Sequence, residues 1–111
     1  MRRIGAAATL LIALSTAASA ECVAVKYRNG ACVELGRFAC SDTSRSSFVR
    51  QVCYDKRNTY MLIKLQNTWY HYCSIPEQVV SSLTVAESVA RFYNAQVKGN
   101  FDFRVNPVPT Y

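Results

Sequence analysis

The chain has 111 residues, half of them hydrophobic and 18% charged, with 13 Lys and Arg against 7 Asp and Glu. That length supports one small domain with a modest core and leaves little room for a second. Past the first twenty residues the positive charges stand mostly alone, at Lys26, Arg28, Arg37, Arg45 and Arg50, with Lys56-Arg57 the longest basic run; a solvated surface accounts for such scatter as well as an anionic partner does.

Residues 1–20, MRRIGAAATLLIALSTAASA, read as a secretory signal peptide. Arg2 and Arg3 form its positive start, Ile4 to Leu14 its apolar stretch, and Ala18-Ser19-Ala20 its small-residue cleavage site. The apolar stretch falls well short of the roughly 20 residues that span a bilayer, so stable membrane insertion is not expected. Glu21 stands where a lipoprotein signal has a small residue, which argues against a lipid anchor on Cys22. The expected location is periplasmic or secreted, with a working chain of 91 residues carrying eleven positive and seven negative charges. All five cysteines, Cys22, Cys32, Cys40, Cys53 and Cys73, lie in that chain. In an oxidising compartment disulfides are the default for most of them, each worth on the order of 2 to 4 kcal/mol. An odd count leaves one thiol unpaired within the monomer.

Residues 21–45 form a cysteine-rich arm. In VAVKYRNGACVEL, Val23, Val25 and Tyr27 alternate with smaller or polar residues, and Asn29-Gly30 suits a tight type I′ turn, so a short hairpin is expected. The body spans 46–104. SSFVRQVCYD, YMLIKLQ and WYHYCSI read as three strands joined by short turns at DKRN and Asn67-Thr68. Ser74 and Glu77 have capping-box spacing and Pro76 suits a first helical turn, so a helix is expected from near Ile75, with Val79, Val80 and Leu83 inward. AESVARFYNAQVKG predicts a second helix with Ala86, Val89, Ala90, Phe92, Tyr93 and Val97 inward and Gly99 at its end. Residues 105–111, with Pro107 and Pro109, read as an extended, loosely held tail. The expected fold class is α+β: a three-stranded antiparallel β-meander followed by two helices (β-β-β-α-α), with an N-terminal cysteine-bearing hairpin arm.

Aligning the strands through those turns places Met61, Ile63, Leu65, Tyr70 and Tyr72 on the face the helices cover. The opposite face then carries Arg50, Lys64 and His71 in a row beside Trp69 and Gln66. Cations beside an aromatic ring can bind a phosphate backbone, the chemistry of an RNA or polyanion site; the same row is the ordinary wet face of a half-covered sheet. The arm must be tied to the sheet, which points to Cys40 pairing with Cys53 or Cys73, although this register puts those two on opposite faces.

Catalytic patterns are weak. His71 is the single histidine, and Cys73 two residues on gives a Cys-His spacing without an orienting acid or oxyanion loop. The cysteine intervals of 10, 8, 13 and 20 resemble no compact zinc set, and no Gly-rich phosphate loop or acidic metal cluster occurs. No enzyme activity, cofactor or metal is expected. The unpaired cysteine offers a thiol-active reading against that of a buried structural residue. Arg91, Asn94 and Lys98 fall at helical spacing on the second helix, a solvated face or an anion site.

The stretch from Ser46 to Phe103 resembles the KTSC domain, a short module named for its occurrence at the C-terminus of some lysyl-tRNA synthetases and also found alone in small bacterial proteins. The matching pieces are Ser46-Ser47, Tyr54-Asp55, Tyr70-His71-Tyr72, Ile75-Pro76, Ala86 with Ser88, Phe92-Tyr93-Asn94 and Val97-Lys98. Cys53 and Ala90 stand where the family commonly has glycine, and the Asn67-Thr68 turn is shorter and lacks its glycine. The resemblance implies the fold; the family has no established activity, only a suggestion of RNA binding from the synthetase context. The preferred reading is an exported binding module without catalytic activity, its partner an unidentified envelope or extracellular protein. RNA binding through Arg50, Lys64, Trp69 and His71 is the alternative, set back by export, and a thiol-active protein is the third.

Overall fold

A computed structural model describes residues 21–102 and 108–111. The expected signal peptide lies outside these residues. Chain order is β1 (Cys22–Val23), β2 (Val33–Glu34), a 3-10 turn (Leu35–Arg37), β3 (Ala39–Asp42), β4 (Val49–Asp55), β5 (Tyr60–Leu65), β6 (Thr68–Tyr72), α1 (Glu77–Val85) and α2 (Val89–Phe92), which runs into a π-helical turn (Tyr93–Val97).

The meander has four strands, not three. β3, β4, β5 and β6 lie in that order, each antiparallel to the next. The extra strand is the second half of the expected arm. Ala39–Asp42 pairs with β4, and this sets Cys40 directly opposite Cys53, where a disulfide joins them at a Cα separation of 3.9 Å. All four β3 residues are exposed, so no inward periodicity marked the strand.

The expected arm hairpin exists only as a stub. β1 pairs β2 through Cys22 opposite Glu34 and Val23 opposite Val33, next to the Cys22–Cys32 disulfide. Gly30 has a positive φ of 102° but Asn29 does not, so no type I′ turn forms. Between β1 and β2 the chain leaves the hairpin for the free edge of the sheet: Val25 bridges Trp69 in parallel, and Lys26 N–H donates to the Trp69 carbonyl at 2.8 Å. The arm thereby occupies the edge of β6.

The β5–β6 turn is Gln66-Asn67, with Leu65 opposite Thr68 and a positive φ of 57° at Gln66. Relative to the expected Asn67-Thr68 turn this slides β6 by two residues, which changes partners but preserves faces. Met61, Ile63 and Tyr72 accordingly pack on the helix side with Val80, Leu83, Val89, Tyr93 and Val97, and Leu65 and Tyr70 lie partly buried against them, as the sequence predicts. Val52 and Tyr54 join them because the register shift between Val49 and Gln51 turns them to this face, away from the side that aligning Arg50 with Lys64 gives them. Tyr54 Oη donates to the Ile75 carbonyl at 2.7 Å, and Ile75 N–H donates to Thr59 O at 2.9 Å, fixing the entry to α1. Ser74 takes a positive φ of 54° and caps nothing; α1 starts at Glu77, after Pro76, later than the capping-box reading places it. Arg45 closes the other end of α1 by donating to the carbonyls of Thr84 and Ala86 at 3.0 and 2.8 Å, supplying partners that helix termini lack.

Opposite the helices there is a second core. Cys53, Tyr60, Leu62, Trp69 and Cys73 are buried there under Val23, Val33, Leu35 and Phe38 of the arm, with Val108 and Tyr111 packed against them. Cys53 and Cys73 thus share a face, against the expected opposition. The expected loose tail is docked where it is described: Tyr111 Oη donates to Asp55 Oδ2 at 2.7 Å, and Arg28 Nη2 donates to the main-chain oxygens of Pro109, at 2.9 Å, and Tyr111.

Candidate functional site

The arm and residues 108–111 decide what the sheet can offer to a ligand. Of the four residues expected in a basic row, Arg50 is exposed but sits at a β-bulge, with Nη1 donating to the carbonyls of Ser44 and Ser46 at 3.1 Å each. Lys64 is half-buried and lies opposite Gln51 and Trp69, not opposite Arg50 and His71. Trp69 and His71 are 6% and 1% exposed. A bulge at Arg50 and the two-residue slide of β6 separate the row, and the arm roofs its rings, so no aromatic face is open there for stacking.

His71 is held neutral. Its Nε2 lies 3.2 Å from the Tyr27 carbonyl, which can only accept, so Nε2 carries the proton and Nδ1 accepts from Tyr60 Oη at 2.8 Å. Burial lowers the pKa of His71 below its usual 6.5, and burial pushes the Tyr60 hydroxyl up to about 12, which keeps it a donor. Cys73 is the free cysteine, fully buried, its thiol pushed up to about 11 by burial and by the negative charge of Asp102. A nucleophilic or redox-sensing thiol requires exposure and a lowered pKa, and Cys73 has neither.

The open site lies on the other side of β6. A groove of about 310 Å³ is lined by Tyr70 and Tyr72 from β6, Tyr93 and Lys98 from the π-helical turn and its end, Phe48 from the loop before β4, and Tyr27 from the arm. Strand periodicity puts Tyr70 and Tyr72 on one face. Tyr72 and Tyr93 are buried at its floor, their hydroxyls hydrogen-bonded to each other at 2.6 Å. The π turn, closed by Lys98 N–H donating to Tyr93 O at 2.9 Å, breaks the expected helical spacing of Arg91, Asn94 and Lys98. It takes Lys98 out of that row and brings it to the groove, while Arg91 and Asn94 remain exposed elsewhere. Of the residues that carry the family resemblance, Tyr70, Tyr72, Tyr93 and Lys98 meet in this groove; Phe92 packs partly buried on the core instead.

Sequence reasoning missed what the arm adds. Tyr27 has φ 68°, a conformation unfavourable for a bulky side chain. The Val25–Trp69 bridge and the His71–Tyr27 hydrogen bond hold it there. The residue is 51% exposed, and its ring stands 6.2 Å from that of Tyr70, with Lys26 Nζ at 5.3 and 5.9 Å from the two ring centres, within cation–π range. The positive φ carries Tyr27 and Lys26 over the sheet edge onto the rim. Nothing local in the sequence announces this, because the contact depends on an edge pairing between residues far apart in the chain. Two lysines on a tyrosine-lined concavity suit a ligand that joins an aromatic or apolar part to a negative charge.

Among the described residues no helix is long and apolar enough to cross a membrane. No curated protein matches the chain. It is similar to the crystal structure of a KTSC domain protein from Yersinia pestis, with a TM-score of 0.54 and 28% identity, over 58% of this chain and 90% of that one. The arm, including Tyr27 and Lys26, precedes the residues 45–101 that match the family model, so part of the groove's rim lies outside the shared domain. From the match of residues 45–101 to the KTSC domain model, and from the likeness to that structure, the chain belongs to the KTSC domain family.

Proposed function

We propose that this protein is an exported, non-catalytic binding module and that the tyrosine groove beside β6 is its binding surface. The observation that carries the reading is the convergence of Tyr70, Tyr72, Tyr93 and Lys98 on one open groove whose rim the arm completes with Tyr27 and Lys26. Rigid aromatic side chains supply contact area at low entropic cost, and the two ammonium groups select an anionic partner. The ligand is an extended segment of an envelope or extracellular protein that presents an aromatic or aliphatic side chain next to a carboxylate. Export is supported by the two disulfides, Cys22–Cys32 and Cys40–Cys53, which persist in oxidising compartments, together with the signal-like residues 1–20. The absence of catalysis is supported by the state of the obvious nucleophile and base, both buried and both held in their neutral forms.

An NMR titration of the 15N-labelled chain from Glu21 with 3-phenylpropionate, the smallest probe of that chemistry, tests the reading. Saturable shifts centred on Tyr70, Tyr72, Tyr93 and Lys98, weakened by Lys98→Ala, are expected. Shifts centred on Arg50 and Lys64, or no saturable shifts, refute it. A parallel titration with a single-stranded oligouridylate tests the RNA alternative. A salt-sensitive complex mapping away from the groove would replace the present reading.

A further inference from the structure

On the opposite face, the chain's own residues 108–111 occupy a site that has the features of a peptide receptor. The ring of Tyr111 meets Phe38 edge-on at 5.8 Å between centres and Tyr60 at 6.3 Å. The Arg37 guanidinium lies over it at 4.3 Å. Its hydroxyl reaches Asp55, and Arg28 grips the main-chain oxygens of Pro109 and Tyr111. Every one of these receptor groups belongs to the arm or the sheet and none to residues 108–111. The loop that carries Arg28 is closed by Cys22–Cys32, Phe38 leads into β3, and Asp55 and Tyr60 flank the β4–β5 turn. The socket is therefore organised by elements other than the segment that fills it, the condition under which a second ligand can compete.

Two features indicate room and chemistry beyond the resident segment. A cavity of about 580 Å³ remains between residues 108–111 and the Arg28 to Cys32 loop, with His71 in its wall. Beside it, Arg28 Nε is buried without a hydrogen-bond partner, although Nη2 of the same guanidinium donates twice. A buried donor left unmatched carries a free-energy cost that an incoming acceptor removes, and a carboxylate is the acceptor that fits a guanidinium edge.

We propose that this face is a second peptide-binding site, specific for a tyrosine on an extended, acidic segment of a partner protein, and that residues 108–111 fill it in cis until such a segment displaces them. The tyrosine takes the place of Tyr111 between Arg37, Phe38 and Tyr60, with its hydroxyl on Asp55. The acidic side chain of the partner enters the cavity and meets Arg28.

The probes are two synthetic hexapeptides, one with the sequence of residues 106–111 (NPVPTY) and one with Asp in the position of Thr110 (NPVPDY), titrated calorimetrically into the full exported chain and into its Tyr111→Ala variant. The variant is expected to bind both peptides at least about tenfold more tightly than the unmutated chain, because its socket lacks the aromatic anchor. The acidic peptide is expected to bind more tightly than the neutral one, and Arg37→Ala added to Tyr111→Ala to abolish the gain. Equal binding by the variant and the unmutated chain overturns displacement, and equal binding of the two peptides overturns the role given to Arg28. A measurement on the unmutated chain keeps the proposal falsifiable if the variant does not fold. The ring resonances of Tyr111 are expected to move to solvent-exposed values as the acidic peptide is added in excess, and unchanged resonances at millimolar peptide overturn it. Because the groove lies on the other face of the sheet, failure here leaves the proposed function standing, and success here does not establish it.

Discussion

Tyr27 offers a sharp test of how the arm serves the groove, because its backbone sits at φ 68° and its ring forms part of the rim. Replace it with glycine and, separately, with alanine. Both substitutions remove the contact with Tyr70 at 6.2 Å and the Lys26 cation–π contact, so the loss of the ring cancels in the comparison. What remains is the backbone. An L-residue in the left-handed region costs roughly 1 to 2 kcal/mol that glycine does not pay, against about 0.4 to 1 kcal/mol that glycine loses through its freer unfolded chain. The glycine variant should therefore be the more stable by about 0.5 to 1 kcal/mol, reversing the usual order of the two residues. In a domain of this size that is a melting-temperature difference of roughly 2 to 8 °C, read by circular dichroism. Both variants should bind the groove probe equally weakly. An alanine variant as stable as the glycine variant, or more so, would refute the claim that the arm holds Tyr27 in a strained conformation to present its ring.

Removing the Cys40–Cys53 bridge by the double substitution Cys40→Ala and Cys53→Ala frees a loop of separation 13 and should cost about 3 kcal/mol in urea denaturation; a loss under about 1 kcal/mol would contradict the clamp. Acid should destabilise the fold through His71: above its unfolded value of 6.5 it is neutral in both states, and below it only the unfolded chain takes up the proton. Stability should then fall by up to about 1.4 kcal/mol per pH unit until the lowered folded value is passed. At more acidic pH Asp55 adds a loss of the same sign. Burial opposes ionisation of its carboxyl, but hydrogen bonds from Asn58 and Tyr111 outweigh this and hold its pKa below 3.8. Urea midpoints from pH 8 to pH 3 measure both, and His71→Gln should flatten the upper part of the profile. Tyr72→Phe and Tyr93→Phe should each cost about 1 kcal/mol and the double variant less than their sum, since both single changes remove the same hydrogen bond. Strict additivity would contradict the hydroxyl pair.

The helix-side core was legible because the alternation of Met61, Ile63 and Leu65 needs only a strand period, and a slide of two residues leaves it intact. Read as a half-covered sheet, the other face is wet or open to a polyanion, yet the sequence also carries the signal that it is covered. Tyr60-Met61-Leu62-Ile63 is a continuous apolar run, the mark of a strand covered on both sides, and Leu62 and Trp69 have no reason to face water. β3 was hidden because all four of its residues are exposed; the register that sets Cys40 against Cys53 is what identifies it. The groove was half legible. Tyr70 and Tyr72 announce themselves by spacing, whereas Lys98 arrives through a π turn and Tyr27 through a long-range edge pairing that no local pattern encodes.

The arm buries the second face of the sheet and leaves the tyrosine groove open. The chain contains one tryptophan, Trp69, and it lies on the buried face, 6% exposed. Its fluorescence therefore reports that burial directly. A blue-shifted emission barely quenched by iodide is expected in the oxidised protein, moving to the red and becoming quenchable on reduction and unfolding. A red-shifted, freely quenched Trp69 in the native, oxidised protein would contradict it and restore Arg50, Lys64, Trp69 and His71 as an open face.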